Sequence, residues 1–482
     1  MPKEKQEKLP RELMMTAWVL VICALPTILD STMVNIAINK LQTDLSSSLN
    51  MVQWAITGYV LAMAVAVSFS GWLMDHLNGK KVLTVAVVIF GAFSLFSGLA
   101  WNIESFIAFR VLQGLSGGVI TMLSMSLLMQ IAPKKLLGQL IAIVSTPMIL
   151  GPILGPVIGG FLVQYGNWRW IFFVNVPIVI ISTVLNITLL RNFIPANKES
   201  KMDWWGTINL AAAITAILYG IMQGSENITH FFNTKMLIFT GLGLLLLIVY
   251  VIYDFLRQHQ TVMPLRYFSH RNFTAGNIGV LLTGVAVNGV MLLLPLYFQN
   301  IRHFTVAEAG LILVPQGIGM LIARPYVGRL IDRIGSQLVV LISLAISLLG
   351  TLPLIFVHTD TNLILLGLVL FVRGLGVGGI TMPMMTDVFY GFKPTEISGV
   401  SVANRMIQYT GQSLGSAIMS AIVTNSLMTY MKTHAGTSTF ANLQLIGQLK
   451  GYQMGFLVST ILLIVIAIPA LFLTSRKDKE KV

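Results

Sequence analysis

The sequence predicts an all-α polytopic membrane protein with 14 transmembrane helices, arranged as two six-helix bundles and an inserted two-helix hairpin. Three observations carry this expectation. The 482 residues are 55% hydrophobic and only 10% charged, whereas a soluble domain carries about 25% charged residues. Apolar runs close to the ~20 residues of a bilayer crossing recur from end to end. Two motifs also recur in one order: GWLMDHLNGKK from Gly71 resembles GRLIDRIGSQ from Gly328, and GLSGGVITM from Gly114 resembles GLGVGGITM from Gly374, at offsets of 257 and 260.

Helices are required because a sheet with open edges leaves backbone groups unsatisfied in lipid. The expected spans are 13–38, 50–74, 82–100, 104–129, 138–163, 169–190, 205–223, 235–256, 273–298, 308–328, 337–357, 362–388, 398–425 and 454–474. The breaks then alternate sides. Of 31 Lys and Arg, 21 fall on the side of the N-terminus, 6 on the other, counting Arg169 and Lys235 at the span ends, and 4 within spans, which is the positive-inside bias. Both tails are accordingly expected in the cytoplasm, and the chain is expected to be multi-pass in the cell (inner, cytoplasmic) membrane. The net charge of +13 is thus a topology signal that meets the lipid bilayer, and nucleic acid is not an expected partner. The first apolar run exceeds a signal-peptide core and lacks a convincing cleavage site, so it reads as an uncleaved first span. Cys23 lies inside it and supports neither a disulfide framework nor a metal site.

The duplicated motifs place six spans in residues 1–190, a linker and inserted hairpin in 191–256, and six more spans in 257–482. Parallel repeats of this kind put the substrate site near the membrane midplane between the halves. On these residues the chain resembles the major facilitator superfamily, in particular its fourteen-helix drug:proton antiporter branch, the EmrB/QacA-like family. LDSTMVNIAI at 29–38 is similar to the family's first-helix pattern, with Asn39 where proline is usual. FRVLQGLSGG at 109–118, GPILGPVIGG at 151–160, WRWIFFVNVP at 168–177 and MPLRYFSHRNF at 263–273 match further family segments. The resemblance implies the major facilitator fold, no cofactor beyond a proton gradient, and small amphipathic drug-like substrates. The chain is read as a monomer, with any adaptor protein left open.

Asp30 is the only acid well inside the first six expected spans apart from the boundary residue Asp75. An intramembrane carboxylate is costly and functional by default, able to hold a proton or a cation alternately. Arg110 stands midway along a span with Gln113 one turn on, and a guanidinium there must face a carboxylate, carbonyls or water. If helices one and four are neighbours, as the family fold implies, Asp30 is its candidate partner. Gly151, Gly155 and Gly159 recur every four residues beside Pro152, Pro156 and Gly160. That spacing strips one helix face so that a neighbouring backbone comes close. It serves plain packing as well as a gate, and the family motif favours a seal against the other half in an exporter.

Gly71, Asp75 and Lys80 in the first loop motif, with Gly328, Asp332 and Arg333 in the second, are candidates for a cytoplasmic latch, since a carboxylate at a helix N-terminus is favoured. His76 and Asn78 replace the family's arginine and glycine in the first copy. For a substrate cavity the candidates are Gln53, Trp54, Tyr59, Gln113, Asn288 and Tyr297, aromatic and polar residues of the kind that line drug-sized sites. Arg373 precedes the second-half glycines directly and is not treated as the equivalent of Arg110. The segment 427–453 reads as the longest external loop.

No nucleotide-binding loop is present, because Gly79-Lys80 is followed by Lys81 and preceded by Met74 where the motif's first glycine belongs. No catalytic residues and no metal ligands are expected, and the chain is not read as an enzyme. The expected function is proton-coupled secondary efflux of amphipathic toxic compounds by alternating access. The alternatives are proton-coupled transport of a specific metabolite, lipid or peptide, and a non-transporting membrane sensor.

Overall fold

In the computed structural model the described residues are 10–131, 146–193, 202–226, 233–258, 260–392, 396–434 and 439–475. Regular structure among them is helical apart from one isolated bridge between Gly335 and Ser475. Helix α1 (Arg11–Met33) passes through a 3₁₀ turn into α2 (Ile38–Asp44), and α3 (Leu49–His76), α4 (Gly79–Gly98) and α5 (Ile103–Ile131) follow. Next come α6 (Thr146–Tyr165), the short α7 (Trp170–Phe173) and α8 (Asn175–Leu189), closing the first six-helix set. The hairpin is α9 (Trp204–Glu226) and α10 (Thr234–Leu256). The second set comprises α11 (Arg271–Thr283) joined by a π-turn to α12 (Gly289–Asn300), α13 (Val306–Leu311), α14 (Val314–Thr351), α15 (Leu363–Gly378), α16 (Thr381–Asp387), α17 (Ile397–Thr433), α18 (Phe440–Val465) and α19 (Ala467–Ala470).

Twelve helical stretches among the described residues are long and apolar enough to cross a membrane. Polar residues at their ends hold the first free N–H groups. The Asn78 side chain accepts from Lys80 N at 3.0 Å, Asn233 from Met236 N at 2.8 Å and Asn362 from Ile364 N at 2.8 Å. Thr305 and Glu308 form a reciprocal capping box at the start of α13.

The two copies of the loop motif turn by different means. In the second, α14 contains a break at Gly335, with φ 84° and ψ 162°, a conformation that essentially only glycine adopts. In the first, Asn78 keeps φ −66° and caps α4 instead, so that copy has no need of the glycine that the family pattern supplies.

Apolar residues from both sets meet in one cluster that joins Met33, Ile36 and Val52 to Val290, Leu293 and Val423. The hairpin docks through α9, whose Leu218 and Met222 meet Leu61 of α3 and Ala417 of α17. Helix α10 faces outward and exposes Leu237, Leu245, Ile248 and Ile252. The expected loop over 427–453 is instead mostly helix, since α17 runs to Thr433 and α18 begins at Phe440. The reason lies in Gly447 and Gly451, where any side chain would press on Leu427 and Val423 of α17. The bare face lets the two helices pack beyond the apolar run that set the expected boundary.

Replacing Gly335 by Ala should lower stability by about 1–3 kcal/mol, whereas Gly71→Ala, inside α3 where an added Cβ meets nothing within 4 Å, should not lower it and should raise it by up to about 1 kcal/mol. Denaturant unfolding of the two variants in detergent checks this, and equal losses would contradict it.

Candidate functional site

Asp30 and Arg110 reach the same point from α1 and α5, and both are buried, at 0% and 1% exposure. Arg110 Nη1 donates to Asp30 Oδ2 in a direct ion pair. The other carboxylate oxygen, Oδ1, accepts from Gln113 Nε2 and from Asn175 Nδ2, each at 3.2 Å. Arg110 Nη1 also donates to Gln113 Oε1 at 2.9 Å. The Tyr59 ring lies beneath the guanidinium at 4.0 Å and that of Phe172 at 5.5 Å, so delocalised charge on one side and π faces on the other stabilise the cation. A second ring of groups fixes the first. Asn175 Nδ2 donates also to Ser94 Oγ at 3.1 Å, whose own hydroxyl donates to Phe172 O at 2.9 Å.

Close helix approach makes this convergence possible. A Cβ on Gly114 would overlap the Tyr59 carbonyl and one on Gly118 that of Met63, so α5 lies directly on α3. Within this cluster two buried atoms lack hydrogen-bond partners among the described residues, Arg110 Nε and Asn175 Oδ1.

The helix-five motif lies on α6. Its row of glycines meets α1 of the same half: a side chain on Gly151 would strike Ile28, on Gly155 Thr32, and on Gly159 Ile36 and Met33. The Thr32 hydroxyl donates to the Gly151 carbonyl at 3.1 Å. The other half is met by the adjoining face, where Gly160 lies against Val306 and Ala307, and Gly310 against the Pro156 carbonyl. Gln164 Oε1 accepts from Ala307 N at 3.0 Å across the same contact. The side chain of Pro152 lies outside the described residues.

A polar seal adjoins this contact at the end of the molecule away from the chain termini. Asn39 Nδ2 donates to Gln299 Oε1 at 3.1 Å and to Asn300 Oδ1 at 2.7 Å, and Gln299 Nε2 donates to Ile36 O at 3.0 Å. Between the halves lies a cavity of about 10 Å³ lined by Thr32, Asn35, Pro156, Pro295 and Gln316 among others, room for a single water.

The remaining expected residues fall in several places. Tyr59 and Gln113 belong to the ion-pair site. Trp54 packs towards the hairpin, its ring 6.0 Å from that of Tyr219. Tyr297 is a core residue, 1% exposed, with its hydroxyl donating to His358 O at 2.8 Å. Gln53 is fully buried with Nε2 donating to Thr57 Oγ1 at 3.3 Å. Asn288 ends the π-turn and is half-buried. Neither Trp54 nor Tyr297 reaches the inter-half cavity, because each is engaged by aromatic neighbours elsewhere.

In the loop motifs, Lys80 Nζ donates to Ile187 O and Leu190 O at 2.8 and 2.7 Å, a cation on the carbonyl end of α8. An added Cβ on Gly71 or Gly328 meets nothing within 4 Å, and Arg333 is exposed. The side chains of Asp75 and Asp332 lie outside the described residues.

Sequence reasoning missed Asn175, Ser94 and Phe172. The available signal was a single amide in the apolar run WIFFVNVP. Arg373, set apart from Arg110 in the sequence, is 1% exposed, and its Nη1 donates to Gln316 Oε1 at 2.8 Å, an acceptor that the sequence did not indicate. Arg373 therefore has a neutral acceptor where Arg110 has a carboxylate.

Two helix sets that meet along an apolar face, with a buried charge pair inside the first, have the architecture of a polytopic membrane transporter. A family model described as Major Facilitator Superfamily matches residues 20–419, and the chain belongs to that superfamily. It is 31% identical over 420 residues, 87% of this chain and 77% of the relative, to the multidrug resistance protein B homolog of Mycobacterium tuberculosis H37Rv. It is 27% identical over 399 residues, 83% of this chain and 78% of the relative, to multidrug export protein EmrB of Escherichia coli K12. Among solved structures, a bacterial homolog of the human lysosomal transporter Spinster, inward-facing and occupied, superposes with a TM-score of 0.67 at 12% identity, covering 96% of this chain and 97% of that one. That likeness concerns the fold alone.

Truncating Arg110 to Ala strands a buried carboxylate and should lower stability by about 3–5 kcal/mol. Asp30→Asn should also cost stability, because it leaves the Arg110 guanidinium buried without a counter-charge and turns an amide N–H₂ toward donors that Asp30 accepts from. Unfolding in detergent measures both, and no loss in either variant would contradict the pairing.

Proposed function

We propose that the chain is a proton-coupled exporter of amphipathic toxic compounds, working by alternating access of its two halves in the cytoplasmic membrane. The observation that carries this reading is the Asp30–Arg110 pair, a titratable acid held against a permanent cation in the middle of the bundle. The names of the relatives, multidrug resistance and multidrug export proteins, supply the substrate class.

In the proposed cycle Asp30 accepts a proton from the outside-facing state. The neutral acid then no longer balances Arg110, which is left with Gln113 Oε1 and the two aromatic faces. The charge released in a low dielectric biases the halves towards their other arrangement. The helix-five motif transmits the change, since α6 touches α1 along Gly151, Gly155 and Gly159 and touches the other half through Gly160 and Pro156. A shift of α1 around Asp30 thereby bears on the inter-half contact. Asp75 with Asp332 latch the cytoplasmic face in this reading, and Lys80 ties the first loop to α8.

The proposal takes fourteen crossings, the twelve apolar stretches together with α6 and α17. Helix α17 is poor in hydropathy because it faces protein: Asn404 donates to Asn277 Oδ1 at 2.9 Å, Ser413 to Thr57 O at 3.4 Å, and Thr121 and Tyr409 share a hydrogen bond at 3.2 Å. Both tails then lie in the cytoplasm, in keeping with the charge bias of the loops.

Reconstituted in vesicles with a pH gradient, Asp30→Asn should remain folded and lose proton-driven export of a cationic dye. Full activity in that variant would remove the coupling claim. Gly155→Leu places bulk against Thr32, and in the same assay it should raise passive leak or stop cycling. Unchanged transport would reduce the motif to packing.

A further inference from the structure

A groove of about 680 Å³ runs between α3, α4 and α5 on the outside of the first half. Its walls are apolar, from Phe69 and Leu73 through Val85 and Ile89 to Phe93 and Leu115. Its mouth is polar and basic, formed by His76, Asn78 and Lys81. Among the described residues no acid lines it. The groove opens sideways, since Val85, Ile89 and Leu112 are 56%, 40% and 39% exposed.

The two lysines at this corner are not alike. Lys80 is committed to the carbonyls of Ile187 and Leu190. Lys81 is exposed and has no hydrogen-bond or ion-pair partner among the described residues. The His76 ring is stacked on Trp72 at 4.5 Å, with Nδ1 3.0 Å from the Trp72 carbonyl. A carbonyl only accepts, so Nδ1 donates and Nε2 is left to face other groups. Depth decides what kind of molecule fits. From Lys81 to Phe93 α4 rises about 18 Å at 1.5 Å per residue, close to half of the ~30 Å hydrocarbon layer. The groove therefore has the length of one leaflet, apolar along that length and cationic where headgroups lie.

We infer that this groove binds an anionic glycerophospholipid of the leaflet on the side of the chain termini, with one acyl chain along α4 and the phosphate at Lys81 and His76. The site joins the α3–α4 corner, where the first loop motif turns, to the bilayer. His76 stands where the family pattern has arginine, and Asn78 caps α4 in place of a glycine, so the mouth is built from this chain's own departures. The site does not depend on the transport proposal, because it lies on the outer face and uses none of the ion-pair residues.

Native mass spectrometry of the full chain, released from micelles supplied with phosphatidylglycerol or phosphatidylcholine, tests the inference. The wild-type protein should retain phosphatidylglycerol in preference to phosphatidylcholine, and Lys81→Ala should reduce that preference about fivefold. Val85→Trp fills the groove and should abolish retention of both lipids. Leu95→Trp, equally bulky on the same helix but outside the groove, and Lys235→Ala should behave as wild type. Equal retention of the two lipids by the wild-type protein, a preference untouched by Lys81→Ala, or equal losses from Val85→Trp and Leu95→Trp would each overturn the assignment.

Discussion

A charge inside a bilayer has to be balanced or removed, and the first half of this protein is arranged around one such balance. Arg110 cannot deprotonate under any ordinary condition, so its position in α5 obliges a partner to come to it. Asp30 supplies the charge, Gln113 and Asn175 occupy the carboxylate's second oxygen, and Tyr59 and Phe172 cover the guanidinium. Four helices and the short α7 are thereby drawn to one point. The bare glycine faces of α5 are the backbone counterpart, since the side chains converge only because α5 can lie on α3.

The same point adjoins the surfaces on which the halves meet. Helix α1 carries Asp30 and then Thr32 against α6, and its continuation through the 3₁₀ turn into α2 carries Ile36 and Asn39 against the second half. Along this stretch, acid, glycine-packed face and amide contact succeed each other within a few turns. The seal is made of amides, Asn39 with Gln299 and Asn300. Neutral amides separate at lower cost than an ion pair in the same surroundings, which suits the parting and re-forming that the proposed cycle asks of this contact. Among the described residues the second half shows no matching buried charge pair, as Arg373 rests on Gln316. The two helix sets therefore differ in their buried electrostatics.

Much of this was legible in the sequence, and for physical reasons. Intramembrane charges are scarce, so Asp30 and Arg110 stood out against an apolar background. Duplicated loops and apolar run lengths marked the helices to within a few residues over most of the chain. What escaped detection depended on direction. The row at Gly151, Gly155 and Gly159 announces a close neighbour without saying which one, and α1 of the same half proved to be it. A lone Asn175 in an apolar run is equally compatible with a lipid-facing or an inward position until α7 and α8 are set at an angle to one another. The start of α18 was misjudged because residues 440–453 are too polar for a lipid crossing, although their glycines pack well against α17. Trp54 and Tyr297 had the chemistry of cavity residues and were claimed by aromatic packing.

The central claim is that one carboxyl group, Asp30, exchanges a proton for cargo. The most direct measurement is proton release from the purified protein, equilibrated in unbuffered detergent solution acid enough to protonate Asp30, when a cationic amphiphilic dye is added, followed with a pH indicator. The account predicts release from the wild-type protein and none from Asp30→Asn at dye concentrations that saturate binding. The same release from both would contradict it.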